Sequence, residues 1–177
     1  MHPILSWFFL VAVLARMATL ALSRRNERAL RAAGAREHGA GVSNALAGLH
    51  TFFYVGCALE GLVRGTSVDG ISLVGMAVWG FAMAVLTTVI ATLGPQWTVR
   101  LLVAPDHRLH RGWLFRTFRH PNYFLNLAPE LIGLGLALHA WVTLVVLLPP
   151  YALFLRKRIE EEERVMGERF PEYGGEV

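Results

Sequence analysis

The segment Arg-His-Pro-Asn-Tyr at residues 119–123 combines residue types that could hold a small polar cofactor. Proline is favoured at a helix start, because its missing N–H would have no partner there. The free amide groups of such a first turn, together with Arg116 and Arg119, suit an anionic or carboxylate-bearing ligand. A structural role is equally open, since Tyr and Arg are common anchors at the headgroup level of a membrane. The sequence predicts that Arg119, His120, Pro121 and Tyr123 open a helix at a membrane surface, either as a binding site or as an anchor.

A second charged segment follows much later in the chain. Three basic residues at 156–158 precede the acidic run Glu160–Glu163. The spacing predicts helical i,i+4 pairs between Arg158 and Glu162 and between Glu160 and Arg164. Composition alone favours a solvated amphipathic helix, and only the membrane topology raises the expectation of a functional role.

Several polar residues within apolar stretches are candidates for chemistry on a substrate. Tyr123, Asn126 and Glu130 are three and four residues apart, so a helix places them on one face. Ionisable residues in hydrocarbon are costly and usually face a cavity or a partner, which makes Glu130 a candidate base or substrate-orienting group. The alternative is a structural ion pair of Glu130, for which Arg16 is the proposed partner. His50 is a further candidate for the same cavity, or a packed interhelical donor.

Two other residues in apolar segments are weaker candidates. Glu60 is expected to reach the outer membrane surface beside Arg64. The single cysteine, Cys57, excludes a disulfide framework and a cysteine-based metal site, and is expected to be a small buried residue. The seven histidines show no metal-ligand spacing, so no metal is expected.

The composition indicates lipid as the solvent of the elements that position these residues. Hydrophobic residues make up 54% of the 177 residues, charged residues only 17%, and the mean hydropathy is +0.44. A soluble domain of this size would be about a quarter charged. Because a spanning helix needs about 20 apolar residues, the sequence predicts an all-α membrane protein with five transmembrane helices. The predicted spans are Ile4–Leu22, Ala45–Val63, Ile71–Leu93, Asn122–Leu138 and Trp141–Leu155, the last two forming a hairpin with a kink at Pro149-Pro150.

The positions of the basic residues test this count of spans. The first loop, the third loop and the C-terminal tail each carry five basic residues, whereas Arg64 alone falls in a loop on the other side. The fifteen residues are Arg24, Arg25, Arg28, Arg31, Arg36, Arg100, Arg108, Arg111, Arg116, Arg119, Arg156, Lys157, Arg158, Arg164 and Arg169. Five spans place all fifteen on one side, which predicts an outside N-terminus and a cytoplasmic C-terminus. No cleaved signal peptide is expected, because the arginines follow the first apolar run and do not precede it. The same topology returns the acidic run to the side of His120.

The two charged segments resemble the signature of the isoprenylcysteine carboxyl methyltransferase family. The family's Arg-His-Pro-x-Tyr box matches residues 119–123, and its Arg-Ile-x-x-Glu-Glu box matches residues 158–163. A trailing Phe-x-x-Tyr element is similar to Phe170–Tyr173. The resemblance runs from about Gly94 to the C-terminus, although Leu125 stands where the family often has glycine.

The resemblance implies a membrane enzyme that uses S-adenosylmethionine. It implies one domain over residues 1–177, in which residues 1–93 form three membrane helices and residues 94–177 form the cofactor loop, the hairpin and the C-terminal helix. The implied cofactor ligands are Arg119, His120, Pro121, Tyr123, Arg158, Glu162 and Glu163. The implied location is the bacterial inner membrane, with the active site facing the cytoplasm.

The N-terminal half is similar to a bacterial subgroup that O-methylates alkylpyrones or alkylresorcinols and is associated with type III polyketide synthases. A hydroxyl acceptor needs a base that a carboxylate does not, so Glu130 fits this reading. Asn126 and His50 are the other two candidate catalytic residues. A prenylcysteine carboxyl or a phospholipid amine remains an alternative acceptor. An NADPH-dependent sterol-type reductase and a non-catalytic membrane subunit are the alternatives from other classes. No nucleic-acid-binding pattern is present.

Overall fold

The computed structural model describes residues 1–105, 117–118 and 120–170, most of them helical. Arg108, Arg111, Arg116, Arg119 and Tyr173 therefore lie outside the described residues. The elements are α1 (Pro3–Ala32), β1 (Arg36–His38), α2 (Ala40–Val63), α3 (Gly70–Leu93), a 3-10 turn (Gly94–Gln96), β2 (Leu101–Val103), a π-helical segment (Asn122–Leu127), α4 (Ala128–Ala137) and α5 (Trp141–Arg169).

The helix starts follow ordinary capping chemistry. The His2 side chain accepts a hydrogen bond from the Ile4 amide, and Pro3 is the first residue of α1. The Asp69 carboxylate accepts from the Ser72 amide at 2.8 Å at the start of α3. Gly39 precedes α2 with φ +59°, a left-handed conformation that glycine adopts without steric cost.

Three helices within the described residues are long and apolar enough to cross a membrane. These are Pro3–Ala32, Ala40–Val63 and Gly70–Gln96, and they contain the first three predicted spans. The π-helical segment with α4 and the helix α5 occupy the positions of the fourth and fifth predicted spans, but neither is long and apolar enough over the described residues to count as one. Five crossings and their orientation therefore remain a prediction.

The predicted all-α fold needs one correction. The structure contains a two-stranded antiparallel sheet, in which Arg36 pairs with Val103 and His38 with Leu101. The strands lie in the first and third loops, so backbone hydrogen bonds join the two loops on the side of the molecule that carries the predicted cofactor residues. Strands of three residues are too short to give an alternating pattern in the sequence.

The long helices also extend beyond the predicted boundaries. Helix α1 continues past Leu22 to Ala32, and α5 continues from the apolar stretch through the acidic run to Arg169. Helix α5 is continuous across Pro149 and Pro150. The apolar segment and the charged segment of α5 therefore belong to one continuous helix.

Helices α3 and α4 are in very close contact. A Cβ atom added at Gly75 would lie 2.3 Å from the Ala137 nitrogen, and one at Gly133 would lie 2.6 Å from the Trp79 nitrogen. Only glycine allows the two backbones to approach this closely. This contact fixes α4, and with it Glu130, against the helix bundle.

Candidate functional site

The polar box of residues 120–123 begins the π-helical segment. His120 and Pro121 are buried, and the His120 carbonyl accepts from the amides of Tyr123 at 3.1 Å and Phe124 at 3.2 Å. Those two amides are therefore engaged within the turn. The further contacts of the box are made by its side chains.

The side chains of the box meet the acidic run of α5. His120 Nε2 lies 3.1 Å from Glu163 Oε1, and His120 Nδ1 lies 3.6 Å from Glu162 Oε1. The Tyr123 hydroxyl donates to Glu162, and the His120 and Tyr123 rings stack with centroids 5.7 Å apart. The structure thus brings together the two segments that the sequence predicted to share one membrane face.

Arg158 joins the two boxes to the rest of the bundle. Its side chain is buried and donates to the Tyr123 hydroxyl at 3.2 Å, to Ser43 Oγ at 2.6 Å and to the Val99 carbonyl at 3.3 Å. The predicted hydrogen-bonded pair of Arg158 with Glu162 is therefore replaced by contacts across helices, because the guanidinium points inward. It binds α2 and the loop before β2.

The remaining charges of the acidic run form exposed pairs on the helix surface. Glu160 accepts from Arg156 at 2.8 Å, and Arg164 contacts Glu161 at 2.8 Å and Glu168 at 3.2 Å. The predicted pair of Glu160 with Arg164 is wrong, since each residue has another partner. Exposed pairs of this kind contribute little to stability.

Burial and charge act in opposite directions on the His120 imidazole. Burial lowers its pKa, but hydrogen bonds and the charges of Glu162 and Glu163 outweigh burial, so the pKa of His120 lies above its usual 6.5. Burial raises the pKa of Glu162, but hydrogen bonds from His120 and Tyr123 and the charge of Arg158 hold it below its usual 4.5. The arrangement favours an imidazolium held between two carboxylates.

Glu130 lies in a second polar cluster, fully enclosed among the helices. Its Oε2 is paired with Arg16, and its Oε1 accepts from the Tyr54 hydroxyl at 2.6 Å and lies 3.4 Å from His50 Nε2. On the other side of the imidazole, His50 Nδ1 lies 3.3 Å from the Tyr151 hydroxyl. The ion pair with Arg16, one of the two interpretations of Glu130, is present, and His50 lies in the same cluster.

Asn126 lies between the two clusters. Its Nδ2 donates to Asn122 Oδ1 at 3.0 Å, and its buried Oδ1 has no hydrogen-bond partner in the part of the chain that the structure describes. The residue is 1% exposed, so this free acceptor is shielded from bulk solvent. An unsatisfied buried acceptor beside a cavity is a position where a ligand can donate a hydrogen bond.

A cavity of about 630 Å³ connects the two clusters. Tyr123 and Arg158 line it at the cofactor box, and Arg16, His50 and Tyr151 line it at the enclosed cluster. Its remaining walls are mainly apolar and come from α1 and α2. The large apolar wall residues Met17, Val55 and Leu59 are also exposed on the outer surface of the bundle, where lipid would lie. The size and the mixed lining are those of a small-molecule site.

Glu130 does not reach the cavity in the way that the predicted polar stripe required. Tyr123 and Asn126 line the cavity, whereas the Glu130 carboxylate is enclosed behind its partners. The π-helical turn over residues 122–127 changes the angular spacing between Asn126 and Glu130. The members of the Glu130 cluster that do line the cavity are Arg16, His50, Tyr54 and Tyr151.

The other polar candidates have structural contacts. Glu60 accepts from the amides of Val142 and Thr143, each at 3.0 Å, and from Arg64 at 2.9 Å, so it caps the start of α5 as well as pairing with Arg64. Cys57 is buried with a free thiol, as predicted. No cluster of three metal-ligating side chains occurs among residues 1–105, 117–118 and 120–170.

The sequence interpretation missed Tyr54, Tyr151 and Ser43. A signal for two of them existed: Ser43, His50 and Tyr54 follow one another at i, i+7 and i+11 on α2, and therefore share one face of an otherwise apolar helix. Tyr151 has no such pattern, since the residues one turn away on α5 are apolar.

Comparison with known proteins identifies the family of the chain. Residues 73–168 match the profile of the isoprenylcysteine carboxyl methyltransferase family. An uncharacterised protein of Haemophilus influenzae is 42% identical over 156 residues, which cover 88% of this chain and 91% of the relative. The Bacillus subtilis protein YpbQ, also uncharacterised, is 26% identical over 164 residues, covering 92% of this chain and 97% of the relative. No solved structure matches the chain significantly.

These similarities define the class of the protein. The three apolar helices and the family match together describe a membrane protein of a methyltransferase family. The chain belongs to the isoprenylcysteine carboxyl methyltransferase family, and the matched segment contains both charged boxes.

Proposed function

We propose that this protein is an S-adenosylmethionine-dependent O-methyltransferase that methylates a hydroxyl group of a lipophilic acceptor. The observation that carries the proposal is the cavity between the two polar clusters. One end is lined by residues of the family's boxes, the other by a cluster of ionisable groups, and the walls between are apolar. A polar methyl donor and a lipid acceptor would each find a suitable environment.

The residues of the two boxes fit the cofactor, and two of them, Tyr123 and Arg158, line the cavity. Glu163 is 44% exposed in its side chain and Glu162 is partly exposed, so both can accept hydrogen bonds from the amino and ribose hydroxyl groups of S-adenosylmethionine. The Tyr123 ring and the carboxylates suit the positive charge of its sulfonium. His120, Pro121 and Arg158 hold these groups in place, and Arg119 is proposed as a further ligand on the strength of the box alone.

The chemistry that the cofactor supplies when bound is a methyl group on a positively charged sulfur, open to in-line displacement. Such a displacement depends on alignment and exclusion of water more than on proton transfer. The protein's contribution is therefore to orient the acceptor oxygen and to keep the cavity dry. The apolar walls from α1 and α2 serve both purposes.

The enclosed cluster favours a hydroxyl over a carboxylate acceptor. Arg16 and Glu130 form an ion pair, so their charges cancel and no unpaired cation remains there for an incoming carboxylate. Among hydroxyl-bearing acceptors, we propose a lipid that carries a phenol or enol group on an alkyl chain, such as an alkylresorcinol or an alkylpyrone. A functional link to a type III polyketide synthase, the inner membrane as location and a cytoplasmic active site belong to the same proposal.

The cofactor is tested with purified protein in detergent, titrated by calorimetry with S-adenosylmethionine and separately with NADPH. Saturable binding of S-adenosylmethionine alone is expected, and Glu162→Ala should abolish most of it. Arg156→Ala is the matched control, because Arg156 is exposed on the same helix. Binding of NADPH alone would replace the proposal by a reductase, and binding of neither would favour a non-catalytic subunit.

The acceptor is tested by transfer of a labelled methyl group. An alkylresorcinol and an alkylpyrone are compared with a prenylcysteine and with phosphatidylethanolamine in mixed micelles. Label in the hydroxyl-bearing lipids is expected. Label only in the prenylcysteine or in the phospholipid amine would contradict the proposed acceptor while leaving the methyltransferase assignment in place.

A further inference from the structure

We propose that Tyr151, His50 and Glu130 form a proton relay that removes the proton of the acceptor hydroxyl. The proposal rests on the O-methylation proposed above and deepens it. It assigns Tyr151 as the catalytic residue that touches the acceptor, His50 as the proton acceptor behind it, and Glu130 as the residue that positions His50.

The three side chains are arranged in line. The Tyr151 hydroxyl lies 3.3 Å from His50 Nδ1, and His50 Nε2 lies 3.4 Å from Glu130 Oε1. A hydroxyl, an imidazole and a carboxylate in this order form the arrangement that moves a proton through histidine in hydrolytic enzymes. They come from α5, α2 and α4, so tertiary packing holds them together.

The relay has its open end at the cavity. Tyr151 and His50 both line the cavity, whereas Glu130 is fully enclosed behind them. Beyond its approach to Glu130, His50 Nε2 makes no hydrogen bond among the described residues. A hydrogen on Nε2 can therefore point to Glu130, which leaves Nδ1 of the neutral imidazole as the acceptor for the Tyr151 proton.

The surrounding charges hold Glu130 ionised and in position. Arg16 pairs with one carboxylate oxygen and the Tyr54 hydroxyl donates to the other, while the His50 and Tyr54 rings stack at 5.2 Å. Among the described residues, the ionisable side chains in contact with the imidazole are those of Glu130, Tyr54 and Tyr151. A carboxylate fixed in this way stabilises an imidazolium without taking its proton.

The proposed step balances as follows. The acceptor O–H bond breaks and its proton passes to the Tyr151 oxygen, while the Tyr151 proton passes to His50 Nδ1. The acceptor oxygen forms a bond to the sulfonium methyl carbon, and the carbon–sulfur bond breaks with its electron pair left on sulfur. The imidazolium later releases its proton to water, which restores the starting state.

The need for such a relay depends on the acidity of the acceptor. A simple phenol has a pKa near 10 and is almost entirely protonated at neutral pH. A nitro group beside the hydroxyl brings the pKa of the phenol close to neutral, so at about pH 8.5 this phenol is mostly ionised while the simple phenol stays protonated. Two acceptors with the same alkyl chain, a 4-alkylphenol and a 4-alkyl-2-nitrophenol, therefore differ in whether they need the relay.

The experiment measures methyl transfer to these two acceptors. His50→Gln and Tyr151→Phe should each lower turnover of the 4-alkylphenol about 100-fold, the usual size of a general-base contribution. Turnover of the nitrophenol should fall less than about 5-fold. The double variant should be no slower than the slower single variant, because both changes interrupt one relay.

Thr51→Val is the matched control, since it removes a hydroxyl beside His50 on α2 that donates only to the Ala47 carbonyl among the described residues. Its loss, if any, should be equal for the two acceptors. Equal losses in His50→Gln and Tyr151→Phe for both acceptors would overturn the relay. Absence of any methylation by the wild-type protein would instead overturn the proposed function, so the two failures are distinguishable.

A second measurement needs no cofactor and no turnover. The ionised nitrophenol absorbs visible light, so the apparent pKa of the bound lipid can be read from its spectrum in detergent. Wild-type protein should bind it with a lower apparent pKa than His50→Gln does, because the relay accepts its proton. An identical titration in both proteins would contradict the inference even if the variants lose activity.

Discussion

The hydroxyl of Tyr123 accepts a hydrogen bond from Arg158 Nε at 3.2 Å and donates its own proton to Glu162. These two hydrogen bonds link the two charged boxes through one oxygen atom. Arg158 continues the link to Ser43 on α2 and to the Val99 carbonyl. The box tyrosine is thus held in one orientation at the mouth of the cavity.

Arg158→Leu should destabilise the protein and weaken the cofactor site together. The change leaves the Tyr123 hydroxyl, the Ser43 hydroxyl and the Val99 carbonyl without their donor. Loss of one partner from a buried charged network costs about 3–5 kcal/mol. The thermal midpoint in detergent and the affinity for S-adenosylmethionine should both fall.

Arg156→Leu is the control for that change. Arg156 is exposed two residues earlier on α5 and pairs only with Glu160 among the described residues. Its removal should change the free energy of unfolding by less than about 1 kcal/mol. Equal thermal shifts in the two variants would contradict the anchoring role of Arg158.

The stabilisation that His120 provides should depend on pH. Because its folded-state pKa lies above 6.5, the native protein holds this proton more tightly than the unfolded chain does. The contribution is fully present below pH 6.5 and is lost as the pH rises through the folded-state pKa. Glu162, whose pKa is lowered, contributes above pH 4.5 and loses its contribution as the pH falls through its folded-state pKa.

Thermal midpoints of wild type and His120→Asn, measured in detergent from about pH 6 to about pH 9, check the His120 part of this argument. The wild-type advantage should be largest at the acidic end and shrink toward the alkaline end. Glu163→Gln removes one of the two carboxylates and should move this loss to lower pH. A wild-type advantage that grows with pH would contradict an imidazolium at this position.

The contact between the two boxes could be predicted from the sequence, because this contact depends only on the number of helices and on the positions of the arginines. The distribution of basic residues among the loops places Arg158 and the acidic run on the same membrane side as His120. In the folded chain, His120 contacts Glu163 of that run. The sequence also allowed an ion pair between Arg16 and Glu130, since a buried carboxylate needs a partner. Both predictions follow from the cost of charge in an apolar environment.

The details that the sequence did not predict depend on side-chain direction and on backbone geometry. Arg158 lies on α5 at a spacing that suits Glu162, yet its guanidinium points into the bundle. The π-helical turn that separates Asn126 from Glu130 has no sequence signature of its own. Tyr151 resembles an ordinary core aromatic until the fold places His50 beside it.

The contact between α3 and α4 should not tolerate a methyl group. Gly133→Ala would place a Cβ atom 2.6 Å from the Trp79 nitrogen and 2.8 Å from the Gly75 carbonyl oxygen, both of them backbone atoms that cannot rotate away. The helices must separate, at a cost of about 1–3 kcal/mol. A lower thermal midpoint is expected, together with lower activity because α4 carries Glu130.

Gly80→Ala provides the contrast on the same helix α3. Apart from the backbone of the helix itself, no atom of the described residues lies within 4 Å of a Cβ atom added there. Replacing an exposed mid-helix glycine by alanine should stabilise the helix by about 0.5–1 kcal/mol. If Gly133→Ala were as stable as Gly80→Ala, the close approach of α3 and α4 would be wrong.

The ion pair of Arg16 and Glu130 should show strong energetic coupling. Arg16→Met or Glu130→Gln alone leaves one charge unpaired in an enclosed site, at a cost of about 3–5 kcal/mol. The double variant leaves no unpaired charge, so its thermal midpoint should lie above that of the worse single variant. Because the relay needs an ionised Glu130, the double variant should remain inactive toward a 4-alkylphenol while regaining stability. Additive losses of stability would show that the two residues do not act as a pair.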